Sequence, residues 1–351
     1  GKLRATTQVE QADVFLIAVP TPFKGDKVPD LRFVEAATRT IAPHLKAGDL
    51  VILESTSPVG TTQQIANWLA ELRTDLTLPA GRESACNIFV AHCPERILPG
   101  NVLHEIINND RVIGGLTPAC TEAAAAFYKI AVKGHCHLTT AATAEMCKLT
   151  ENAFRDVNIA FANEVSLICD RLDIDVRELI SLTNQHPRVN VLQPGTGVGG
   201  HCIAVDPWFI IDSAPDLSRL MRTAREVNDA KPHWVVDKIV KGAQANERAD
   251  GSIACFGLVY KPDVDDFRES PSVEVVDTLA NAHSGPILVF EPFIEQLPET
   301  LESRNIRLVG LDEAMQADFA VILTGHSQFR EIDFATHSAE GRFLDPTGAI
   351  G

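Results

Sequence analysis

The chain has 351 residues, of which 45% are apolar and 22% charged, and a formal net charge of −16 at neutral pH. That length exceeds one typical core and implies two or three globular domains. The acidic balance excludes nucleic acid and anionic membrane as main partners, because both select basic surfaces, while a small anionic ligand needs only a few local Arg and Lys.

The eight cysteines show no CxxC pairing, which fits reduced thiols in a large cytoplasmic enzyme better than a disulfide framework. Cys93 beside His92, and Cys136 between His135 and His137, are metal-ligating types, but without a second spaced pair they do not make a zinc site. No apolar run reaches transmembrane length and no secretory signal pattern opens the chain, so the expected location is the cytoplasm.

In chain order, "DVFLIAVPTP" from Asp13 reads as a buried strand leaving its sheet. Apolar strands follow at "DLVILEST" (49 to 56), "NIFVAHCP" (87 to 94) and "RVIGG" (111 to 115), with helical patterns over 31 to 46 and 61 to 72. This alternation predicts a doubly wound parallel sheet with ligands at the carboxyl ends of its strands. Those ends carry "PTP", "STSPVG" and "CPERILPG". A run free of Gly and Pro then starts at 141 and predicts one long helix, buried in part against another subunit. Further helices are predicted at 175 to 184 and from about 217 to 245. After "ANERADG" the alternation resumes: strands at 252 to 258, 286 to 292 and 318 to 325, helices at 271 to 283 and 311 to 317. The predicted α/β architecture is two doubly wound, Rossmann-like sheets joined by a central helical domain, with divisions at 1–140, 141–246 and 247–351.

"QPGTGVGGHCIAVDPW" contains Gly195, Gly197 and Gly200 in G-x-G-x-x-G spacing. A dinucleotide turn needs a strand before it, a helix opening on it and a carboxylate about twenty residues later. Pro194 and Pro207 bracket these glycines, no helical repeat starts between them and no such acid follows, so the stretch is read as a close-approach loop delivering His201, Cys202 and Asp206.

Lys148, Asn152 and Arg155 share one stripe of the long helix by their i, i+4, i+7 spacing. Such a stripe is either the helix's wet side or, since the rest of the run is too apolar for free solvation, a set of groups held in a dry cleft. A lysine there stabilises an oxyanion or exchanges a proton. Cys202, among glycines and prolines, is poorly placed for core packing and reads as a nucleophile. Asp206 orients a water or cation, or caps the turn before Pro207. Glu95 lies just past a strand end, where catalytic groups collect, although a loop carboxylate is more often plain surface. Arg188, Lys261 and Arg268 are loop cations suited jointly to phosphate or carboxylate recognition.

"AEMCKLTENAFRDVNIAFANE", "GVGGHCIAVDP", "STSPVG" and "KPDVDDFRESP", in this order, resemble the UDP-glucose/GDP-mannose dehydrogenase family along nearly the whole chain. "CPERILPG", "NQHPRVN" and "HCIAVDPWF" resemble its N-acetylated branch, since UDP-glucose enzymes usually have phenylalanine where Arg96 stands. The resemblance implies a four-electron oxidation of a sugar C6 hydroxyl to a carboxylate with two NAD+. The substrate is a UDP-N-acetyl-hexosamine, UDP-N-acetyl-D-mannosamine first among them, in the service of surface polysaccharide synthesis.

It further implies that Cys202 carries the half-oxidised sugar as a thiohemiacetal and then a thioester. Lys148 and Asn152 hold oxyanion and water, Asp206 assists them, and Glu95 with Thr56 transfers protons. Around the nucleotide sugar it places Arg96, Ile97, Lys148, Asn152, Arg155, His186, Arg188, Gly199 and Lys261; at NAD it places Thr21, Thr56 and Arg268. A homodimer is expected and no metal. The family's first strand and glycine-rich turn, about sixty residues, are expected ahead of Gly1, and without them the adenosine half of NAD lacks its cradle. The rival readings are a related UDP-sugar 6-dehydrogenase for UDP-N-acetylglucosamine or UDP-glucose, a UDP-sugar-binding chain impaired in catalysis, and a Cys-His hydrolase.

Overall fold

The computed structural model describes residues 3–25, 27–97, 101–245, 250–301 and 305–350. The first sheet begins with β1 (Val14–Ile17); a small antiparallel hairpin, β2 (Phe23–Lys24) with β3 (Val28–Pro29), follows it. Helix α1 (Arg32–Ile41), strand β4 (Leu50–Leu53), helix α2 (Thr61–Leu72) and strand β5 (Phe89–His92) come next. They are succeeded by α3 (Val102–Asn108), β6 (Arg111–Gly115), α4 (Pro118–Tyr128) and β7 (Cys136–Thr140). The strand order is β1-β4-β5-β6-β7. All four residues of β4 are buried, the all-apolar signature of a strand covered on both faces.

One expectation needs correction: β6 runs antiparallel to β5, pairing Ala91 with Gly115 and His92 with Gly114, so this sheet is mixed. A parallel return requires a crossover helix packed on the sheet, and α3 buries none of its residues. Helix α1 is also shorter than its pattern, giving way to a single 3-10 turn that contains Pro43.

The helical middle contains α5 (Ala141–Leu172), α6 (Val176–Thr183), α7 (Asp206–Ser213) and α8 (Arg219–Ala245). Asp175 caps α6 by accepting from the N–H groups of Arg177 and Glu178. The second sheet contains β8 (Ile253–Phe256), α9 (Pro271–Ala282), β9 (Ile287–Phe290), β10 (Ile306–Leu308), α10 (Leu311–Ala314), β11 (Phe319–Ile322), α11 (Ala335–Ala339) and β12 (Phe343–Leu344). Here α10 ends three residues before the predicted 317. The order β10-β9-β8-β11-β12 is parallel throughout. This is the doubly wound order, with its topological switch between β8 and β11.

The chain divides into two compact units, Gly1–Ala153 with Val205–Ser218, and Phe154–Ala204 with Arg219–Gly351. The division passes through α5. In the first unit, apolar clusters on either face of the sheet are built around Val34, Ile65 and Val90, and around Ile52, Ile113 and Ala124. In the second, α8 and α9 supply Val235, Ile239 and Val276 to one cluster, and Phe256, Phe329 and Phe334 form the other. The sequence division at 246/247 lies outside the described residues.

Candidate active site

In the first unit, α5 carries Lys148 and Asn152, and α7 opens with Asp206 in its first turn. Asn152 Nδ2 donates to Asp206 Oδ2 at 2.5 Å. Asp206 is buried and helical, with Pro207 inside the first turn after it, so it is not the exposed turn cap that its place before proline allowed. Burial is the largest influence on its carboxyl and pushes it up to about 6, against the opposing hydrogen bond from Asn152 and charge of Lys148. An acid poised there can exchange protons near neutral pH, and an amide and an ammonium beside it are groups able to stabilise a developing oxyanion.

The loop after β5 is tied to the same helix. Glu95 Oε1 accepts from the backbone N–H of Arg96 at 2.6 Å, and Glu95 Oε2 accepts from Arg111 at 3.0 Å. Arg96 donates to Glu151 at 2.8 Å, one residue before Asn152, and to the carbonyl of Asp110 at 2.8 Å. Ile97 is half-buried beside them, and the rest of its motif, Leu98 to Gly100, lies outside the described residues. Arg111 carries no marker in the sequence except that it opens a strand.

Thr21 Oγ1 donates to the carbonyl of Thr56 at 2.6 Å, joining the loops that leave the parallel neighbours β1 and β4. This is the sheet edge at which α/β folds take nucleotides. The N-terminus of α2 next along the chain is already filled: Glu145 accepts from Gly60 N at 2.7 Å, Thr62 N at 2.7 Å and Thr62 Oγ1 at 2.6 Å. A phosphate has no place at that helix end. No G-x-G-x-x-G occurs within residues 1–140. Thr21 and Thr56 stand together at the strand ends, where their polar groups could meet a nucleotide. Glu145 was not singled out from the sequence, although it lies three residues before Lys148 and shares its stripe.

In the second unit, the glycine loop packs against the segment 260–271. A Cβ on Gly199 would stand 2.4 Å from the Glu269 carbonyl oxygen. One on Gly200 would stand 2.9 Å from the Tyr260 ring, and Gly200 also holds φ +83°. Gly199 thus lets backbone approach backbone, and Gly200 lets backbone approach an aromatic ring. The half-buried Cys202 lies within electrostatic range of Tyr260 and Arg268. Arg268 forms a two-pronged pair with Asp266, Nε to Oδ1 at 3.0 Å and Nη2 to Oδ2 at 2.6 Å, and that pairing first of all raises its own affinity for its proton.

Lys261 stands exposed on the same loop as Arg268, Arg155 stands exposed on α5, and His186 and Arg188 stand exposed in the turn after α6, where His186 Nδ1 accepts from Arg188 N at 3.3 Å. Tyr260 and Asp266, which sequence reasoning passed over, are flanked by the motif residues Lys261 and Arg268. No group of three His, Cys, Asp or Glu among the described residues is placed to hold a metal ion, and no described helix is long and apolar enough to cross a membrane.

Residues 1–132 match the NAD binding domain, 142–230 the central domain and 254–346 the UDP binding domain of the UDP-glucose/GDP-mannose dehydrogenase family. The chain is 58% identical over 334 residues to an NDP-N-acetyl-D-galactosaminuronic acid dehydrogenase of Ralstonia nicotianae, covering 95% of this chain and 78% of that protein. It is equally, 58%, identical over 340 residues to a UDP-N-acetyl-D-mannosamine dehydrogenase of Escherichia coli, covering 95% and 81%. The solved structure of a UDP-D-ManNAc dehydrogenase from Pyrococcus horikoshii is similar with a TM-score of 0.85 at 34% identity, over 97% of this chain and 79% of that one.

Proposed function

The chain belongs to the UDP-glucose/GDP-mannose dehydrogenase family and is an NAD-dependent UDP-sugar dehydrogenase; from that premise we propose that it oxidises C6 of UDP-N-acetyl-D-mannosamine to the uronate through Cys202. The observation that carries the chemistry is the buried Asp206 bonded to Asn152 under the charge of Lys148. Residues 1–140 serve NAD, 141–246 catalysis and self-association, and 247–351 the UDP sugar.

NAD+, when bound, takes up one hydride in each of two oxidations. Thr21, Thr56 and Arg268 would hold it, and Glu95 with Thr56 receives the proton of the C6 hydroxyl as the aldehyde forms. The Cys202 sulfur then bonds to the aldehyde carbon, and Lys148 and Asn152 stabilise the resulting oxyanion. Loss of the second hydride leaves a thioester on Cys202. Asp206 takes a proton from water as its oxygen attacks the acyl carbon; the carbon–sulfur bond breaks, and carboxylate and thiol are released. Per sugar, the balance is one water consumed, two hydrides transferred and three protons released. Arg96, Ile97, Arg155, His186, Arg188, Gly199 and Lys261 hold the nucleotide sugar.

A second copy of the chain covers the exposed apolar stripe of α5. Phe154, Phe161 and Ile168 are 71%, 57% and 50% exposed at seven-residue spacing, and they bury one continuous seam when paired.

The test is direct: with NAD+ and UDP-N-acetylmannosamine, NADH absorbance yields two equivalents per sugar. No NADH with UDP-sugar binding intact assigns the chain to binding without catalysis. The galacto epimer is the second reading, because a relative of equal identity is named for N-acetyl-D-galactosaminuronic acid. Turnover of the manno, gluco and galacto UDP-N-acetylhexosamines, compared as kcat/KM, decides among them.

A further inference from the structure

The loop from Gly257 to Ser270 joins β8 to α9 at the switch point of the second sheet and carries both Lys261 and Arg268. Two of its non-glycine residues, Asp263 and Glu269, have φ of +60° and +50°, a region that L-residues enter at some cost and hold only when neighbours fix them. Asp263 is fixed by the segment after β11. Its N–H donates to His326 Nδ1 at 3.0 Å, and its Oδ1 accepts from Ser327 N at 3.0 Å and from Ser327 Oγ at 3.1 Å.

His326 is wholly buried, and its other ring nitrogen faces Glu291 Oε2 at 3.0 Å. With Nδ1 accepting an amide hydrogen, the donor proton lies on Nε2 and points at that carboxylate. Glu291, the first residue after β9, also accepts from Leu258 N at 2.7 Å and Val259 N at 3.2 Å, and so holds the opening of the same loop. Phe293 stacks on the His326 ring at 4.9 Å between centroids and narrows its freedom to turn. Two wholly buried polar side chains from the ends of two different strands thus spend their hydrogen bonds on one functional loop. A core that needed only stability would gain as much from apolar residues of similar volume.

We propose that His326 is a positioning residue for UDP-sugar binding: its Nδ1 holds Asp263 in the left-handed conformation that presents Lys261, while Glu291 orients the ring and anchors the start of the loop. This rests on the reading of Lys261 as a substrate contact. His326 itself touches no reacting atom.

Three variants, each titrated with UDP by calorimetry and melted in parallel, test it. Lys261→Ala checks the underlying reading and is expected to weaken UDP binding. His326→Asn keeps an acceptor where Nδ1 stood; His326→Gln keeps a donor where Nε2 stood and loses that acceptor. The expected result is roughly tenfold weaker UDP binding in His326→Gln, the equivalent of one lost hydrogen bond, with most affinity restored in His326→Asn despite similar melting temperatures. Parental UDP affinity in His326→Gln, while Lys261→Ala is impaired, overturns the inference alone. Equal impairment of the Asn and Gln variants also overturns it, because the acceptor is then not what matters. Parental affinity in Lys261→Ala overturns the reading on which it rests.

Discussion

Asn152 and Asp206 stand 54 residues apart in the chain and share a hydrogen bond of 2.5 Å in the interior of the first unit. The bond fixes which Asp206 oxygen faces the helix. The Lys148 charge, on the same face of α5, favours the ionised carboxylate, yet burial prevails.

The carboxyl pushed up to about 6 gives a pH signature. The folded protein holds this proton up to about pH 6, whereas the unfolded chain releases it near 3.8, so stability falls as pH rises between these values and is level above. Asp206→Asn is expected to abolish that slope and to stabilise the protein at pH 7 by up to about 3 kcal/mol, while kcat drops by roughly 10²–10⁴. Melting curves and a pH profile of kcat check both; an acid limb near pH 6 that survives the substitution removes Asp206 as its source.

Replacing the proposed nucleophile separates binding from chemistry. In Cys202→Ser, acid formation is expected to vanish while UDP-sugar binding is largely kept, since oxygen is the weaker nucleophile at neutral pH. Quantifying uronate and NADH after prolonged incubation checks this; unchanged turnover takes Cys202 out of the mechanism.

Glu145 holds the start of α2 with three accepted hydrogen bonds from Gly60 and Thr62. Glu145→Ala leaves the two buried Thr62 donors without their acceptor and is expected to cost about 3 kcal/mol of stability. Chemical denaturation measures it, and a loss within error shows that water replaces the carboxylate.

Lys231 is buried with Nζ 2.5 Å from Ser166 Oγ and 4.2 Å above the Trp234 ring. Burial brings its ammonium down to about 8, partly opposed by Asp170. Between about pH 8 and 10.5 the unfolded chain binds the extra proton, so stability is expected to rise with pH across that window. Lys231→Met is expected to raise the melting temperature at pH 7 and flatten the rise; a lower melting temperature at pH 7 contradicts it.

The apolar stripe of α5 predicts self-association. Phe161→Glu puts charge in its middle and is expected to shift sedimentation from dimer to monomer; a monomeric parent counts against the seam.

Both sheets were legible in the sequence because strands covered on both faces are written as unbroken apolar runs, such as the wholly buried Leu50–Leu53 and Ile253–Phe256. The 32-residue helix was legible from its lack of Gly and Pro, and Lys148 and Asn152 from periodicity along it. The antiparallel course of β6 was not, because strand direction depends on whether the preceding helix packs on the sheet, and α3 does not. Nor were the partners of the functional groups. Asp206 gains its altered acidity from burial, against a hydrogen bond from a residue 54 positions away, Glu145 reaches back 83 and 85 residues, and the His326 and Glu291 pair forms across 35. Local sequence carries periodicity and residue type; which polar atoms meet in the dry interior, and so which protons they keep, is decided only when distant segments pack.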